Sequence, residues 1–524
     1  MKNHLNRVTA IVCAVVSLLF LFVFCVINFR GFGQFCTGDI YSDTYLVRVM
    51  WESGTIFPEN WIFGNQFYVI STPVLAALIY GLCGSINLSM ILATTAMTLL
   101  TIVCFWWMLR PFASRTQILL GLTVLLGSVI GPDVVATIEG QIFYLMASYY
   151  AGYLITMFVV FGDYVRTLHN PERKGTAVLI LAVFLSFGTG MQSLRQTAVM
   201  VFPLLAAEAI RLLLLWLRRT PVSSWNIKAT VRVALYTAAN LSGMAAIKVI
   251  APNCVTMYGE LSFNPLSRVP ECLSTCLRAL RSISGLKYLD SETPLLGVIA
   301  LVLVLATVIA LLSLFLRRRK WDGCDVLMIL FGASILCTLG VSVVVNIYTR
   351  SIYIFPWYPL AALAAVVLFS RLRISHRAVA TALLLIALLG NLFLSYGSSA
   401  EKACSDAALP ERQVAQYLMD EGYSRVYGPW MWVDRVAVWT DGQVAAGSWY
   451  GSVCQVIPYI TPTDIFSEAD NAKACYLTIN AKTEQELLDF AASQGAEMTL
   501  LERFEGTSYC LYTSSKQLMF FGAD

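Results

Sequence analysis

Residues 69–84 read VISTPVLAALIYGLCG, and whether they cross a membrane decides the fold. The chain has 524 residues, of which 58% are hydrophobic and only 13% charged, with a mean hydropathy of +0.69. Globular chains carry about twice that share of charge, so a polytopic α-helical membrane protein is expected. A span needs about 20 apolar residues. The 69–84 stretch is shorter, carries Pro73 and ends at Gly84. Longer apolar runs occupy 8–28, 88–109, 117–132, 147–162, 175–191, 197–216, 229–250, 294–316, 325–346, 356–370 and 378–397.

Charge placement resolves the ambiguity, because cytoplasmic loops are enriched in Lys and Arg. If 69–84 does not cross, there are about eleven transmembrane helices. Loops 1–7, 110–116, 163–174, 217–228, 317–324 and 371–377 then share the inner side. They hold Lys2, Arg7, Arg110, Arg115, Arg166, Arg173, Lys174, Arg218, Arg219, Lys228, Arg317, Arg318, Arg319, Lys320, Arg371, Arg373 and Arg377. The outer loops are longer in total and hold only Arg30, Arg48, Arg195, Arg268, Arg278, Arg281, Lys287 and Arg350. A crossing at 69–84 would invert every later loop. The stretch is therefore read as a helix dipping into the outer leaflet, at a depth where non-spanning backbone must lie against protein or a watery cavity.

This topology makes 1–397 a transmembrane domain with outer loops at 29–87 and 251–293. Residues 398–524 form a small extracytoplasmic α/β domain, signalled by strand-like ACYLTI and SYCLYT and helix-like PERQVAQYLMDEG and TEQELLDFAASQG. The N-terminus is expected in the cytoplasm of a plasma-membrane protein, with the 8–28 run as a retained anchor. The fourteen cysteines include no C-x-x-C pair, so neither a zinc site nor a redox motif is indicated. Nothing points to nucleic acid.

The three histidines, His4, His169 and His376, fall in or beside inner loops. A side-chain base of the carboxylate or imidazole kind working outside must then be a carboxylate. Asp39 and Asp43, in CTGDIYSDTYLVRVMWESG (36–54), are four apart and share one face if helical. Their spacing suits a solvated turn after a span, or a base with an assisting carboxylate. Asp133 reads as a cap. Glu139, among apolar residues, suits a cavity. Glu260 is another outer-loop acid. Arg195 and Arg350 lie on the side that disfavours arginine, as phosphate clamps or as snorkelling side chains. The aromatic residues Tyr348, Tyr353, Trp357 and Tyr358 read as an interfacial belt. Arg211, three residues after Glu208, reads as an intrahelical pair.

The stretch SDTYLVRVMWESGTIFPENW resembles the first outer loop of the GT-C membrane glycosyltransferases, which include protein mannosyltransferases and the aminoarabinose transferase of lipid A. STPVLAALIYGLCG resembles their non-spanning Pro-containing helix, and RSIYIFPWYPLAALAA a late segment that opens a span. Asp43 is followed by Thr44 where relatives often carry Glu. The resemblance implies a polyprenyl-phosphate sugar donor, an acceptor in the cell envelope and inverting transfer. It makes Asp43 the base, with Asp39 and Glu139 assisting. It assigns Arg350, Arg195 and Tyr353 to substrate and phosphate, and allows a divalent metal, Mg or Mn, on Asp43 and Glu139. A lipid-linked sugar flippase or transporter, a polysaccharide polymerase or ligase, and a non-catalytic envelope protein are the competing readings. No paired broken helices favour the transporter.

Overall fold

The structure, a computed structural model, describes residues 2–520 except 173, 222–224, 257–261, 317–320, 347–348, 406–408, 452–453, 457–459 and 467–472. Arg173, Glu260, Arg317, Arg318, Arg319, Lys320 and Tyr348 therefore lie outside the described residues. Among the rest, eight helices are long and apolar enough to cross a membrane: Asn6–Phe35, Ile86–Leu109, Thr197–Leu217, Ile227–Ile250, Pro294–Leu314, Gly323–Val344, Ser351–Arg371 and His376–Ala403. The chain is a multi-pass membrane protein. Three further helices, Arg115–Gly127, Ala151–His169 and Thr176–Gln192, run between the loops that join these.

The 69–84 stretch forms the helix Thr72–Cys83, with Pro73 in its first turn and Gly84 at φ +68° closing it. Its 12 residues span about 18 Å, short of a hydrocarbon core of about 30 Å. Before it, Ile62 pairs with Thr461 of the tail. After it, Asn87 donates through its backbone N–H to Asp441 (3.0 Å) and through its side chain to the Val438 carbonyl (2.8 Å). Both ends touch the tail, so the segment returns to the side it left. Leu78 and Leu82 face outward, 63% and 89% exposed, as lipid-facing residues do.

Loops at the opposite helix ends meet one another. Asn226 Nδ2 donates to the Thr167 carbonyl (2.7 Å), Lys228 Nζ to that of Pro171 (2.8 Å), and the Phe112 ring packs against His169. Buried polar clusters fix which helices pair. Asp163 accepts from both Arg232 and Tyr236. Arg211 Nε reaches Glu208 at 2.7 Å, the intrahelical pair expected, and Tyr164 joins it at 2.9 Å. Gly190 and Gly243 let helices 176–192 and 227–250 touch. A Cβ at either would fall 2.1 Å from a carbonyl oxygen of the other helix.

The tail is a mixed six-stranded sheet flanked by helices Pro410–Asp420, Trp432–Trp439 and Ala481–Ser493. Its parallel centre is Arg425–Pro429 between Ala445–Tyr450 and Ala474–Thr478, and Cys510–Ser514 pairs antiparallel with the last of these. A second, three-stranded sheet joins distant loops: Trp61–Phe63 lies between Val255–Thr256 and Thr461–Pro462.

Arg232→Met alone should cost about 3–5 kcal/mol by stranding the buried Asp163, whereas Arg232→Met with Asp163→Leu should recover most of it. Thermal melts of the two purified variants in detergent check this.

Candidate functional site

The helix Gly38–Ser53 is built to present acids from a fixed platform. The Thr37 hydroxyl caps its start by accepting from the Ile40 N–H (3.4 Å), and Gly54 at φ +67° ends it. Asp39 and Asp43 sit one turn apart, and packing gives them different surroundings. Asp39 lines a cavity of about 510 Å³ counted to its open mouth, together with Gln66, Tyr68, Tyr150, Arg195, Arg350 and Tyr353. Asp43 lies behind that wall, 1% exposed, and its Oδ1 accepts from the Tyr68 hydroxyl. Its Oδ2 is buried without a hydrogen-bond partner among the described residues. Burial pushes the Asp43 carboxyl up to about 8, with the Tyr68 hydrogen bond opposing and the Asp39 charge adding. Burial also raises Asp39, and the Arg350 guanidinium opposes it. Thr44 is buried beside them and spends its hydroxyl on the Ile40 carbonyl (2.6 Å).

Arg195 is held from three directions. Its guanidinium lies over the Tyr150 and Tyr353 rings, 4.8 and 4.5 Å from their centroids, and its Nη1 donates to Gln66 Oε1 (3.1 Å). Tyr153 donates to the same oxygen. A cation stacked this way keeps its charge and loses much of its freedom. Arg350 stands exposed at the same cavity. The backbone at and near the cavity is strained. Met146, Ser148 and Ile460 have φ of +56°, +49° and +50°, a region that costs of order 1–3 kcal/mol for such residues, and Ile460 itself lines the cavity.

Four expected residues, Asp39, Arg195, Arg350 and Tyr353, thus share one cavity, and Asp43 reaches it through Tyr68. Glu139 does not line it. Its Oε1 accepts from Ser282 (3.1 Å) and Ser351 (2.7 Å), with Lys287 at 3.8 Å, so it ties three loops together, while its neighbour Ile138 faces the cavity. Asp133 does the same for the end of the last span, His376–Ala403, accepting from Ser399 and Lys402. No three His, Cys, Asp or Glu side chains among the described residues gather to hold a metal. With Glu139 committed to two hydroxyls and a lysine, the donor set does not fit the expected Asp43–Glu139 metal site. The aromatic belt is also corrected: Trp357 and Tyr358 are buried in the core, and Tyr353 lies under Arg195. Tyr68, Gln66 and Tyr150 escaped the sequence reading, since single aromatic and amide residues in a loop carry no periodic or charge signal.

Across 92% of this chain, the structure superposes on 94% of ArnT from Cupriavidus metallidurans in its apo state, with a TM-score of 0.55 at 10% identity. Against ArnT bound to undecaprenyl phosphate, the score is 0.56 at 12% identity over 96% and 98% of the two chains. This is a GT-C fold. No family model and no curated protein sequence matches the chain. The GT-C likeness extends over nearly the whole length of both chains, the tail included.

The raised Asp43 carboxyl carries a stability signature. It stays protonated in the folded chain up to about pH 8, whereas unfolded Asp ionises near pH 4. The folded state binds the extra proton between these values, so stability should fall as pH rises from about 4 to 8. Asp43→Asn should remove that fall. Melting temperatures of parent and variant at pH 5 and pH 8 measure it, and the variant's advantage should appear at pH 8.

Proposed function

We propose that the chain is a membrane glycosyltransferase that moves a sugar from a polyprenyl-phosphate donor to a hydroxyl of an envelope acceptor, with inversion. One observation carries the reading: Asp39, Arg195, Arg350 and the Asp43-bonded Tyr68 line one cavity of a GT-C fold. The undecaprenyl phosphate bound to ArnT supports a lipid phosphate as the ligand class. In this proposal the chain crosses the plasma membrane with its N-terminus in the cytoplasm and its tail outside, through about eleven spans.

Arg350 and Arg195 hold the donor phosphate, and forked guanidiniums suit its oxygens. Asp43 is the base and acts through Tyr68. The acceptor hydroxyl gives its proton to the Tyr68 oxygen as Tyr68 passes its own to Asp43. The acceptor oxygen attacks the anomeric carbon, and the bond from that carbon to the phosphate oxygen breaks, its electrons leaving with polyprenyl phosphate. A carboxyl near 8 is well matched to this task, because a base works best when its pKa lies near the working pH. Asp39, beside Arg350, orients the acceptor hydroxyl.

Labelled polyprenyl-phosphate sugars supplied to the purified protein with envelope extract provide the assay. Asp43→Asn and Tyr68→Phe should each lower transfer by about 10²–10⁴, and the double variant should be little worse than either, because the two residues act as a unit. Wild-type transfer should rise with pH towards about 8 as Asp43 gives up its proton, and Asp43→Asn should flatten that limb. Near-parental transfer by Asp43→Asn would remove it as the base. Absence of transfer from every polyprenyl-phosphate donor would overturn the reading.

A further inference from the structure

A second cavity, an open cleft of about 340 Å³ counted out to solvent, lies between the Gly38–Ser53 helix and the tail. It shares one wall, Ile460, with the cavity that Asp39 lines. Its chemistry differs. Among the described residues no Lys or Arg lines it, so none of them offers a cation to a phosphate. Its walls are aromatic: Tyr45 and Trp61 are stacked at 22° with centroids 6.3 Å apart, and Trp430 stands at the mouth, 42% exposed. One carboxylate, Asp434, faces this aromatic set. It is 3% exposed and accepts from the Ser448 hydroxyl (2.8 Å) and the Met431 N–H (3.0 Å). Trp61 is fully buried, and its indole N–H has no hydrogen-bond partner among the described residues.

A buried donor without a partner is costly, and here it belongs to a cavity wall, where a ligand oxygen would relieve it. Apolar ring faces, a buried N–H donor, hydroxyls and a carboxyl, with no cation among the described lining residues, match a neutral polyhydroxylated ring. Its C–H faces pack on the aromatic rings, and its hydroxyls exchange hydrogen bonds with the polar groups. Burial pushes the Asp434 carboxyl up to about 6, against its two hydrogen bonds and with the Asp39 charge adding. It can therefore donate to or accept from a sugar hydroxyl near neutral pH.

We propose that this second cavity binds a neutral carbohydrate and seats the acceptor beside the transfer site. That it holds the acceptor rests on the transferase reading; that it binds a sugar does not. The Trp61–Phe63 strand links the two cavities physically. Trp61 lines the second, and Gly64, Asn65, Gln66 and Tyr68, just beyond the strand, line the first.

The test uses the purified full chain in detergent, read by tryptophan fluorescence and thermal stability. The probes are methyl glucoside, methyl mannoside, N-acetylglucosamine and their disaccharides. At least one should bind saturably. Trp61→Phe, which keeps the ring and removes the N–H, and Asp434→Asn should each weaken that binding about tenfold. Both variants should keep the parental stabilisation by undecaprenyl phosphate. Trp430→Phe, at the exposed mouth, serves where a buried substitution impairs folding, and it should weaken binding too. Equal glycoside affinity in parent and variants, or binding of none of the probes, would overturn the proposal. If undecaprenyl phosphate fails to stabilise the parent, the transferase reading falls, and the glycoside titration still decides the cavity.

Discussion

Gln192 holds the chain between Phe67 and Ile70, and the site depends on that clamp. Its side-chain oxygen accepts from the Val69 and Ile70 N–H groups, and its backbone carbonyl accepts from the Phe67 N–H. On the other side, the Ile70 carbonyl lies where a Cβ on Gly152 would be, 1.7 Å from its built position, so only glycine admits the loop there. Non-helical backbone at this depth is unstable unless protein satisfies it. Two other buried amides serve the same end. Asn28 exchanges hydrogen bonds with Tyr144 and Met146, and Asn391 donates to the Gly127 and Val129 carbonyls. Each lets the chain leave the helical state inside the bundle, and the irregular segments they hold carry cavity residues or lead into them.

Held in that position, the loop turns the spacing of Asp39 and Asp43 into a chemical difference. Asp39, which lines the cavity near Arg350, has a guanidinium opposing the effect of its burial. One turn deeper, the Asp43 carboxyl meets only the Tyr68 hydroxyl among the described residues, and desolvation outweighs that one hydrogen bond. Two acids on one helix face therefore differ: burial raises both, but a guanidinium opposes it at Asp39 and only a neutral hydroxyl opposes it at Asp43. Neither helix propensity nor the cap at Thr37 produces this; it comes from what packs over the helix.

That division sets what was legible in the sequence. Charge asymmetry between loops indicated that 69–84 does not cross, because a wrong choice would have inverted every later arginine. It also gathered Asp39, Arg195 and Arg350 on one side, and they share a cavity. Local patterns placed the tail's strands and helices, since a two-residue or a 3.6-residue period survives in a single segment. Depth did not show. Glu139 among apolar residues looked like a cavity acid, yet Ser282 and Ser351 from two remote loops occupy it. Trp357 and Tyr358 had the composition of a membrane belt and are core residues. Tyr68, Gln192 and Gly152 matter through contacts across long stretches of chain, which no local period encodes.

The tail is the remaining element, and its connections make it part of the site. Tyr41 on the Gly38–Ser53 helix accepts from the Ala446 N–H (3.1 Å), Arg48 donates to the Gly442 carbonyl (2.9 Å) and Arg435 to that of Cys36 (3.2 Å). A Cβ on Gly38 would fall 2.4 Å from Trp430 Nε1, so the start of the acid-bearing helix lies directly against the tail. Thr461 and Pro462 continue the Trp61–Phe63 strand pairing, and the residue before them, Ile460, is held in a backbone conformation that a β-branched side chain rarely adopts. Such strain persists only where surrounding structure over-determines it. Here the surroundings are the loop clamped by Gln192 on one side and the tail sheet on the other, so the wall between the two cavities is fixed by both parts of the chain at once.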